Sequence, residues 1–309
     1  MKRLVSTVGL SHDKWLEYRK QGIGGSDAGA VCGLNPYISP MQVYEDKTSV
    51  KTEDKDNEAM RQGRDLENYV ARRFTEATGL IVKRANTMFY DEQNPFMLAD
   101  VDRLVVGERA GLECKTVNLY NADKWEDGNI PPHYKIQCYH YMAVLGMDAW
   151  YIAALILGKG FVYHKIERDE EVIANLRDIE KDFWENHVKA GVVPAPDGSE
   201  AAGEWLFSAF PNAKKESVIP LTGFDERLKR RMEVTELIGK LEKEKAQIEQ
   251  EVKLYLGDVE CAENASYRVT WKNVVSNTLD TKRLKTEQPE LYQKYVRSSQ
   301  SRRLTIKAA

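Results

Sequence analysis

The sequence predicts an α/β protein in which a mixed central β-sheet is flanked by helices, followed by a C-terminal appendage. Three observations support this class. Helical and short apolar extended segments alternate up to about residue 198. The chain is 42% hydrophobic and 9% aromatic, as in globular proteins. A long, highly charged helical pattern begins near Asp225. We therefore expect a first domain over 1–198, a linker over 199–224 and a helical plus small α+β module over 225–309.

Capping residues and breakers give the order of elements in the first domain. Ser11 caps the first predicted helix, Ser26 the second, and Ser39 the third. Gly79 ends a longer fourth helix. The predicted helices cover 11–20, 26–32, 39–44, 57–78, 133–145 and 169–189, and the extended segments cover 80–90, 97–106, 111–117, 150–157 and 161–166. Together these segments form one sheet with helices on its faces.

The extended segments on either side of Gly107 are expected to form a hairpin that carries three charged residues. If Val106 pairs with Gly111, Asp102 lies opposite Lys115. Strand alternation then puts Asp102, Glu113 and Lys115 on one face. The opposite face would carry Val101, Val105, Leu112 and Cys114. Two carboxylates beside a lysine are typical of a site that binds a divalent cation and a phosphate.

Chance is the alternative explanation, because Glu-x-Lys occurs four times in a chain that is 30% charged. The matches that begin at Glu45, Glu53 and Glu251 lie in helix-like or loop-like polar surroundings, where a solvated ion pair is expected. Only Glu113 lies in a strand pattern with an aspartate on the preceding strand. Taken alone, the hairpin fits either a site or a surface hairpin with ordinary charges.

Further candidate residues lie on helices. Ser26 stands at a helix start and Arg19 seven residues earlier, and together they could bind a phosphate. A helical corner in which Ser26 only caps the helix would have the same sequence pattern. Glu67 borders the apolar stripe of the long helix and could equally face solvent. Gln137 and Tyr141 are four residues apart, so they share one helix face. There they would either contact substrate or pack.

Composition excludes several classes of protein. The four cysteines form no C-x-x-C pair, so neither a zinc site nor an iron-sulfur cluster is predicted, and a reducing, cytosolic setting is expected. No secretory signal and no apolar run of about 20 residues is present, so no membrane association is expected. The net charge of −3 means that any DNA contact must rely on local basic groups and metal ions.

The C-terminal module is less informative. Its long helix, 225–256, has an apolar stripe that fits either packing on its own protein or an intermolecular seam. Strands are expected at 267–272 and 303–307 around a helix at 291–296. Residues 282–309 carry eight basic and two acidic groups, a balance of +6. Such a segment could contact DNA or a partner protein, or be a solvated surface.

As a set, the motifs resemble the YqaJ-like phage recombination exonucleases, relatives of phage lambda exonuclease in the PD-(D/E)XK nuclease superfamily. The resemblance spans about residues 15–190. It rests on motifs that occur in the same order and with similar spacing: Arg19, Gly22-Ile-Gly-Gly-Ser-Asp27, Gly63-Arg-Asp-Leu-Glu67, Asp102, Glu113-Cys-Lys115 and Gln137-Cys-Tyr-His-Tyr141. The superfamily's proline before the aspartate is missing, because Val101 stands there.

The resemblance implies a restriction-endonuclease-like core and a role for each position. Asp102, Glu113 and the backbone carbonyl of Cys114 would bind Mg²⁺ or Mn²⁺, and Lys115 would contact the attacking water. Glu67 would assist with a second ion in a two-metal hydrolysis. Arg19 and Ser26 would hold the terminal 5′-phosphate, and Gln137 and Tyr141 would form the Q-x-x-x-Y signature.

These roles imply a 5′ to 3′ exonuclease that degrades linear double-stranded DNA from its ends during recombination in a bacterial cytoplasm. The resemblance also implies a ring-shaped homo-oligomer and a single-strand annealing partner. Two alternatives remain open. One is a structure- or sequence-specific endonuclease on the same fold, and the other is a DNA-binding scaffold without catalysis.

Overall fold

The computed structural model describes residues 2–49, 57–214, 217–298 and 301–307. It divides into two compact units, Met1–Phe210 and Pro211–Ala309. The first unit continues past the expected boundary at residue 198. Within the segment 199–224, expected to be a linker, residues Glu200–Ala209 form a helix that packs on the helix over Pro40–Thr48 and buries Ala201 and Ala202.

The first unit contains seven α-helices among its described residues: α1 (His12–Arg19), α2 (Gly25–Val31), α3 (Pro40–Thr48), α4 (Glu58–Thr78), α5 (Pro132–Leu145), α6 (Glu170–Asp182) and α7 (Glu200–Ala209). Its strands are β1 (Lys2–Ser6), β2 (Ile23–Gly24), β3 (Val82–Lys83), β4 (Thr87–Tyr90), β5 (Met97–Asp100), β6 (Arg103–Val105), β7 (Ala110–Val117), β8 (Ala149–Ile156) and β9 (Gly160–Glu167). A 3-10 helix over Leu119–Trp125 follows β7, and a π-helical turn over Phe183–Lys189 follows α6.

The strands form two sheets. The larger one has the order β3-β6-β7-β8-β9, in which β7 and β8 are parallel and all other neighbours are antiparallel. The smaller one has the order β1-β4-β5-β2, with β2 and β5 parallel. The α/β class with a mixed central sheet flanked by helices is therefore confirmed, but the extended segments divide between two sheets, whereas one was expected.

Each face of the larger sheet is covered by a helix. On one face, Phe74 of α4 packs with Leu112 and Tyr151. On the other, α5 buries Met142 against the side of β8 that carries Trp150. Because the strands are covered on both faces, they are apolar along most of their length. Glu113 and Lys115 project from β7 on the α5 side.

Most expected helices are confirmed, including the caps Ser11 and Ser39 and the left-handed Gly79 and Gly146 at helix ends. The expected strands over 80–90 and 97–106 are interrupted, so each gives two short strands. The pairing of β1 with β4 was not predicted. The Glu53 match lies outside the described residues.

The predicted hairpin register was wrong by two residues. The structure pairs Leu104 with Gly111 and Arg103 with Leu112. Because side chains alternate with a period of two, this error leaves every strand residue on its predicted face. Val101 is the exception, since it precedes the bend at Asp102 and joins the core on the α5 side.

The second unit contains helix α8 (Asp225–Leu256), a hairpin of β10 (Cys261–Glu263) and β11 (Arg268–Thr270), and helices α9 (Thr281–Glu287) and α10 (Pro289–Tyr295). The long predicted helix is confirmed. The strand expected at 303–307 is wrong, because the structure describes no regular element there. Among the described residues no helix is long and apolar enough to span a membrane.

Candidate active site

One cleft of the first unit, of about 970 Å³, contains every residue that the sequence predicted for the site. Its walls come from α1, α2, α4, β7 and α5, so segments from about residue 15 to 141 converge there. The predicted residues that line it are Arg19, Ser26, Glu67, Asp102, Glu113, Cys114, Lys115, Gln137 and Tyr141. The order of the motifs along the sequence could not show that these residues lie together in one cleft.

A hydrogen-bonded cluster forms where β7 faces α5. Lys115 Nζ lies 2.6 Å from Glu113 Oε1 and donates to Gln137 Oε1 at 3.0 Å. Gln137 Nε2 donates to Glu113 Oε1 at 2.8 Å and to the Tyr141 hydroxyl at 2.9 Å. Strand alternation and the four-residue helical spacing produce this cluster. The ring of Tyr134 lies 4.5 Å from Lys115 Nζ.

Asp102 lies beside this cluster at the bend between β5 and β6. Its Oδ2 accepts a hydrogen bond from the backbone N–H of Cys114 at 2.7 Å, which ties the carboxylate to β7. Burial, and then the neighbouring carboxylates of Glu113 and Glu67, raise the pKa of Asp102 well above its ordinary value. For Lys115, burial acts against the charged form, but the contact with Glu113 outweighs it and raises the pKa, so the lysine is charged.

The donor atoms here fit a hard divalent cation. Asp102 and Glu113 offer carboxylate oxygens beside the carbonyl of Cys114, and Mg²⁺ prefers oxygen ligands. Glu113 Oε2 is buried without a hydrogen-bond partner in the protein, so it has a lone pair free for a water or an ion. The described residues contain no group of three His, Cys, Asp or Glu side chains arranged to hold a metal. The remaining ligands would therefore be waters and substrate oxygens.

Glu67 forms an ion pair with Arg103 rather than facing an open metal site. Its carboxylate accepts from Arg103 Nη1, and Arg103 is only 4% exposed. The same guanidinium donates to the carbonyl of Asp102 at 2.6 Å and to Asn68 Oδ1 at 2.7 Å. Glu67 thus lies at the cleft, as predicted, but in an ion pair that the sequence did not indicate.

The opposite end of the cleft is built around Arg19. Its Nη2 donates to Ser26 Oγ at 2.9 Å and lies 3.2 Å from Asp27 Oδ1, and its guanidinium stacks on Trp15 at 4.9 Å. The expected cap was wrong, because Gly24 is the N-cap of α2 and Asp27 accepts its N–H. Ser26 therefore lies in the first turn, where its hydroxyl is exposed to the cleft.

Asp27 joins two cations. Its Oδ2 lies 2.8 Å from Lys47 Nζ, whose side chain is fully buried. Burial acts against the Asp27 carboxylate, but Lys47 and Arg19 together lower its pKa to about 2. The solvated ion pair expected for the Glu-x-Lys match that begins at Glu45 was therefore wrong, because Lys47 is a buried partner of Asp27.

Several residues of the site were missed: Trp15, Asp100, Arg103 and Tyr134, which line the cleft, and the buried pair of Asp27 and Lys47, which contacts Arg19. Asp27 and Arg103 each adjoin a predicted site residue, and a charged residue within an apolar pattern could have indicated them. Asp100, which accepts from the Trp15 indole at 2.6 Å, stands two residues before Asp102 and so shares its face in the sequence pattern. Lys47 gave no such signal, because its partner is distant in sequence.

Comparison with known proteins agrees with this picture. Residues 14–148 match the YqaJ-like viral recombinase domain. The chain is 39% identical over 308 residues to "Uncharacterized protein YqaJ" of Bacillus subtilis (strain 168), covering 98% of this chain and 97% of the relative.

Among solved structures, the alkaline exonuclease LHK-Exo of Laribacter hongkongensis aligns with a TM-score of 0.51 at 21% identity, over 58% of this chain and 94% of that one. LHK-Exo in complex with dAMP aligns with a TM-score of 0.50 at 20% identity, over 64% and 97%. The chain therefore shares the fold of LHK-Exo. The relationship to the Bacillus protein over almost the whole chain is more specific, and the chain belongs to the YqaJ-like family of viral recombinases.

Proposed function

We propose that this protein is a metal-dependent exonuclease that degrades linear double-stranded DNA from its 5′ ends. One observation carries the proposal: the Asp102, Glu113 and Lys115 cluster shares a single cleft with the anion-binding pair of Arg19 and Ser26. The first group suits phosphodiester hydrolysis and the second suits a terminal phosphate.

The metal in this proposal is Mg²⁺, with Mn²⁺ as a substitute, held by Asp102, Glu113 and the carbonyl of Cys114. When bound, such an ion neutralises phosphate charge and lowers the pKa of a coordinated water. Burial, and then repulsion from Glu113, raises the pKa of Asp102, and a bound ion would relieve that repulsion.

The protein's own groups would position the reaction. Lys115, charged and directed by Glu113 and Gln137, would hold the attacking water and offset negative charge that develops on the phosphorus oxygens. Gln137 keeps Lys115 in place, and the buried hydroxyl of Tyr141 keeps Gln137 in place. Since Tyr141 is only 4% exposed, we assign it a supporting role rather than a DNA contact.

The polarity of degradation would come from Arg19 and Ser26. A guanidinium and an exposed hydroxyl in the first turn of α2 suit a phosphate, and the helix dipole adds attraction there. A 5′-phosphate held at this end would place the next linkage over the carboxylates. The related fold of LHK-Exo has been solved with dAMP, a nucleotide that carries one phosphate.

The family resemblance extends the proposal to a ring-shaped oligomer and to a single-strand annealing protein as partner. The basic residues at 282–307 would contact either DNA or that partner. Deletion of residues 223–309 tests this part. Unchanged DNA affinity, processivity and partner binding in the truncated protein would contradict a binding role.

The main test is degradation of an end-labelled linear duplex, with and without a 5′-phosphate, in the presence of Mg²⁺. We expect digestion from the 5′ ends, faster on phosphorylated ends, and no cleavage of a closed circular duplex. The preference for phosphorylated ends should disappear in Arg19→Ala. Cleavage of the circle would favour an endonuclease, and no digestion with either Mg²⁺ or Mn²⁺ would favour an inactive scaffold.

A matched pair of lysine variants adds a control. Lys115→Ala should abolish cleavage. Lys165→Ala should not, although Lys165 also pairs with a glutamate two residues away on a strand, at 2.8 Å, because its side chain is 43% exposed and lies outside the cleft.

A further inference from the structure

Tyr134 brings an aromatic ring to Lys115, the lysine of the proposed reaction. Lys115 Nζ lies 4.5 Å from the ring centre, and an ammonium group is attracted to a ring face within about 6 Å. The other contacts of this kind among the described residues are longer, at 4.9 to 5.9 Å. We propose that Tyr134 is a positioning residue that holds the Lys115 ammonium where the reaction needs it. This inference rests on the proposed nuclease function and adds to it a residue that the sequence did not indicate.

Tyr134 reaches Lys115 because of its position on α5. It precedes Gln137 by three residues, so the two side chains lie on the same face of the helix. Gln137 Oε1 accepts from Lys115 Nζ at 3.0 Å. The lysine therefore has one polar and one aromatic contact from the same helix, in addition to its ion pair with Glu113 at 2.6 Å.

The ring of Tyr134 is itself held by its neighbours. It packs against the hydrophobic core, with its centre 5.8 Å from that of the Trp125 ring and 4.0 Å from that of the His133 ring. Both neighbours are buried, with exposed fractions of 3% for Trp125 and 9% for His133. Tyr134 also lines the cleft. The packing therefore presents a fixed ring face to the lysine.

Lys115 would need this contact most when a metal is bound. A lysine carries its charge on a flexible four-carbon stem, and a divalent ion on Asp102 and Glu113 would repel the ammonium and weaken its pair with Glu113. Gln137 and Tyr134 are not among the proposed metal ligands, so their contacts with the lysine would remain. An aromatic ring attracts the ammonium without neutralising it, because the ring has no net charge. The positive charge therefore stays available to the phosphate.

Single-turnover cleavage of an end-labelled linear duplex by the full chain, at saturating Mg²⁺, tests the role of the ring. Tyr134→Leu should lower the rate about tenfold or more, as expected for loss of a cation–aromatic contact shielded from water, and should change the Kd for the duplex less than about threefold. Tyr134→Phe keeps the ring and should retain the rate within about threefold. Tyr69→Leu is the matched control, because the Tyr69 ring contacts Arg72 at 5.1 Å but lies outside the cleft, and its rate should equal that of the wild type.

Fluorinated phenylalanines at position 134 separate the electrostatic effect of the ring from its shape. Each fluorine withdraws electrons from the ring face, which weakens its attraction for a cation, while the size of the ring changes little. We expect the logarithm of the rate to fall steadily from phenylalanine to its forms with one, two and three fluorines. A constant rate across this series, or a loss in Tyr134→Phe as large as in Tyr134→Leu, would overturn the proposal. Circular dichroism verifies folding, and the series decides the question even if Tyr134→Leu does not fold.

Nuclear magnetic resonance tests the contact without measuring activity. In the full chain labelled with carbon-13 at the lysine Cε atoms, the ring current of Tyr134 should shift the Lys115 Hε signals upfield, both without and with Mg²⁺. Lys115→Ala identifies these signals, and Tyr134→Leu should remove the shift. Loss of the shift when Mg²⁺ is added to the wild type would overturn the proposal. A wild-type chain that digests no linear duplex would remove the proposed function as well, whereas a chain that digests DNA at a rate insensitive to fluorination would refute this inference alone.

Discussion

The substitution Asp27→Asn tests whether the buried charges behind Arg19 stabilise the part of the cleft that we propose to bind a phosphate. Asn has the shape of Asp but no charge, so Lys47 would lose its closest partner, 2.8 Å away, while its side chain remains fully buried. Arg19 would lose the carboxylate that it contacts at 3.2 Å. We expect a clear loss of stability in the first unit.

The pKa of Asp27 gives the size of this loss. Lys47 and Arg19 overcome burial and lower it from 3.8 to about 2. At about 1.4 kcal/mol per tenfold change in proton affinity, the charged form contributes roughly 2.5 kcal/mol. For a unit of about 210 residues this corresponds to a decrease in Tm of roughly 5 to 10 °C.

The sign of the pH dependence follows from the lowered pKa. The contribution of Asp27 is fully present above pH 3.8 and is lost as the pH falls toward 2. The difference in the free energy of unfolding between the wild type and Asp27→Asn should therefore be constant from about pH 5 to 8. In this range Asp27 is ionised in both the folded and the unfolded wild type.

Thermal unfolding at several pH values measures the effect, with two further variants for comparison. Asp46→Asn is the matched control, because Asp46 contacts the same lysine at 3.3 Å but its side chain is 53% exposed, and an exposed ion pair contributes little. Lys47→Met should cost less than Asp27→Asn, because Asp27 keeps Arg19 and the Gly24 N–H as partners. A Tm for Asp27→Asn within 1 °C of wild type, or equal losses in Asp27→Asn and Asp46→Asn, would refute the reasoning.

Three other predictions concern the cleft. Gly25→Ala should lower activity strongly, because a Cβ there would lie 2.4 Å from the buried Tyr141 ring, whereas Gly63→Ala, with open space around its Cβ, should be neutral in the same assay. Lys115→Ala should bind linear duplex in a gel-shift assay while showing no cleavage, and residual digestion near the wild-type rate would contradict its role. Burial and then Lys115 lower the pKa of His133 to about 4, so stability should decrease as the pH falls from about 6.5 to 4. In His133→Phe this decrease, followed by urea unfolding, should be smaller, and an identical pH profile would contradict it.

The sequence predicted the main elements of the site because their signals are local. Glu113 and Lys115 share a strand face, and Gln137 and Tyr141 share a helix face, through periodicity alone. The error of two residues in the hairpin register did not change these predictions, because it leaves each side chain on the same face of its strand. The fold class followed in the same way from the alternation of elements.

The ion pairs could not be predicted, because they depend on contacts between distant segments. Lys47 lies twenty residues from Asp27, and Glu67 lies 36 residues from Arg103. Nothing in the pattern around Lys47 distinguishes it from an exposed lysine. The cap expected at Ser26 was wrong for a local reason: Gly24 is the N-cap, Asp27 accepts its N–H, and the serine hydroxyl accepts from Arg19 instead.

Two of the arginines that line the cleft have the same arrangement, and this would explain how a chain with a net charge of −3 binds DNA. A carboxylate holds each guanidinium: Asp27 holds Arg19 and Glu67 holds Arg103. A side chain that is already oriented loses less rotamer entropy on binding, a saving of about 0.5 to 1.5 kcal/mol for each. Outside the cleft, the negative charges of these carboxylates offset the positive charges of the arginines. Salt further screens any remaining field over about 8 to 10 Å. Attraction for phosphate would then be confined to the cleft, so the local pairing of charges, rather than the total, would determine where DNA binds.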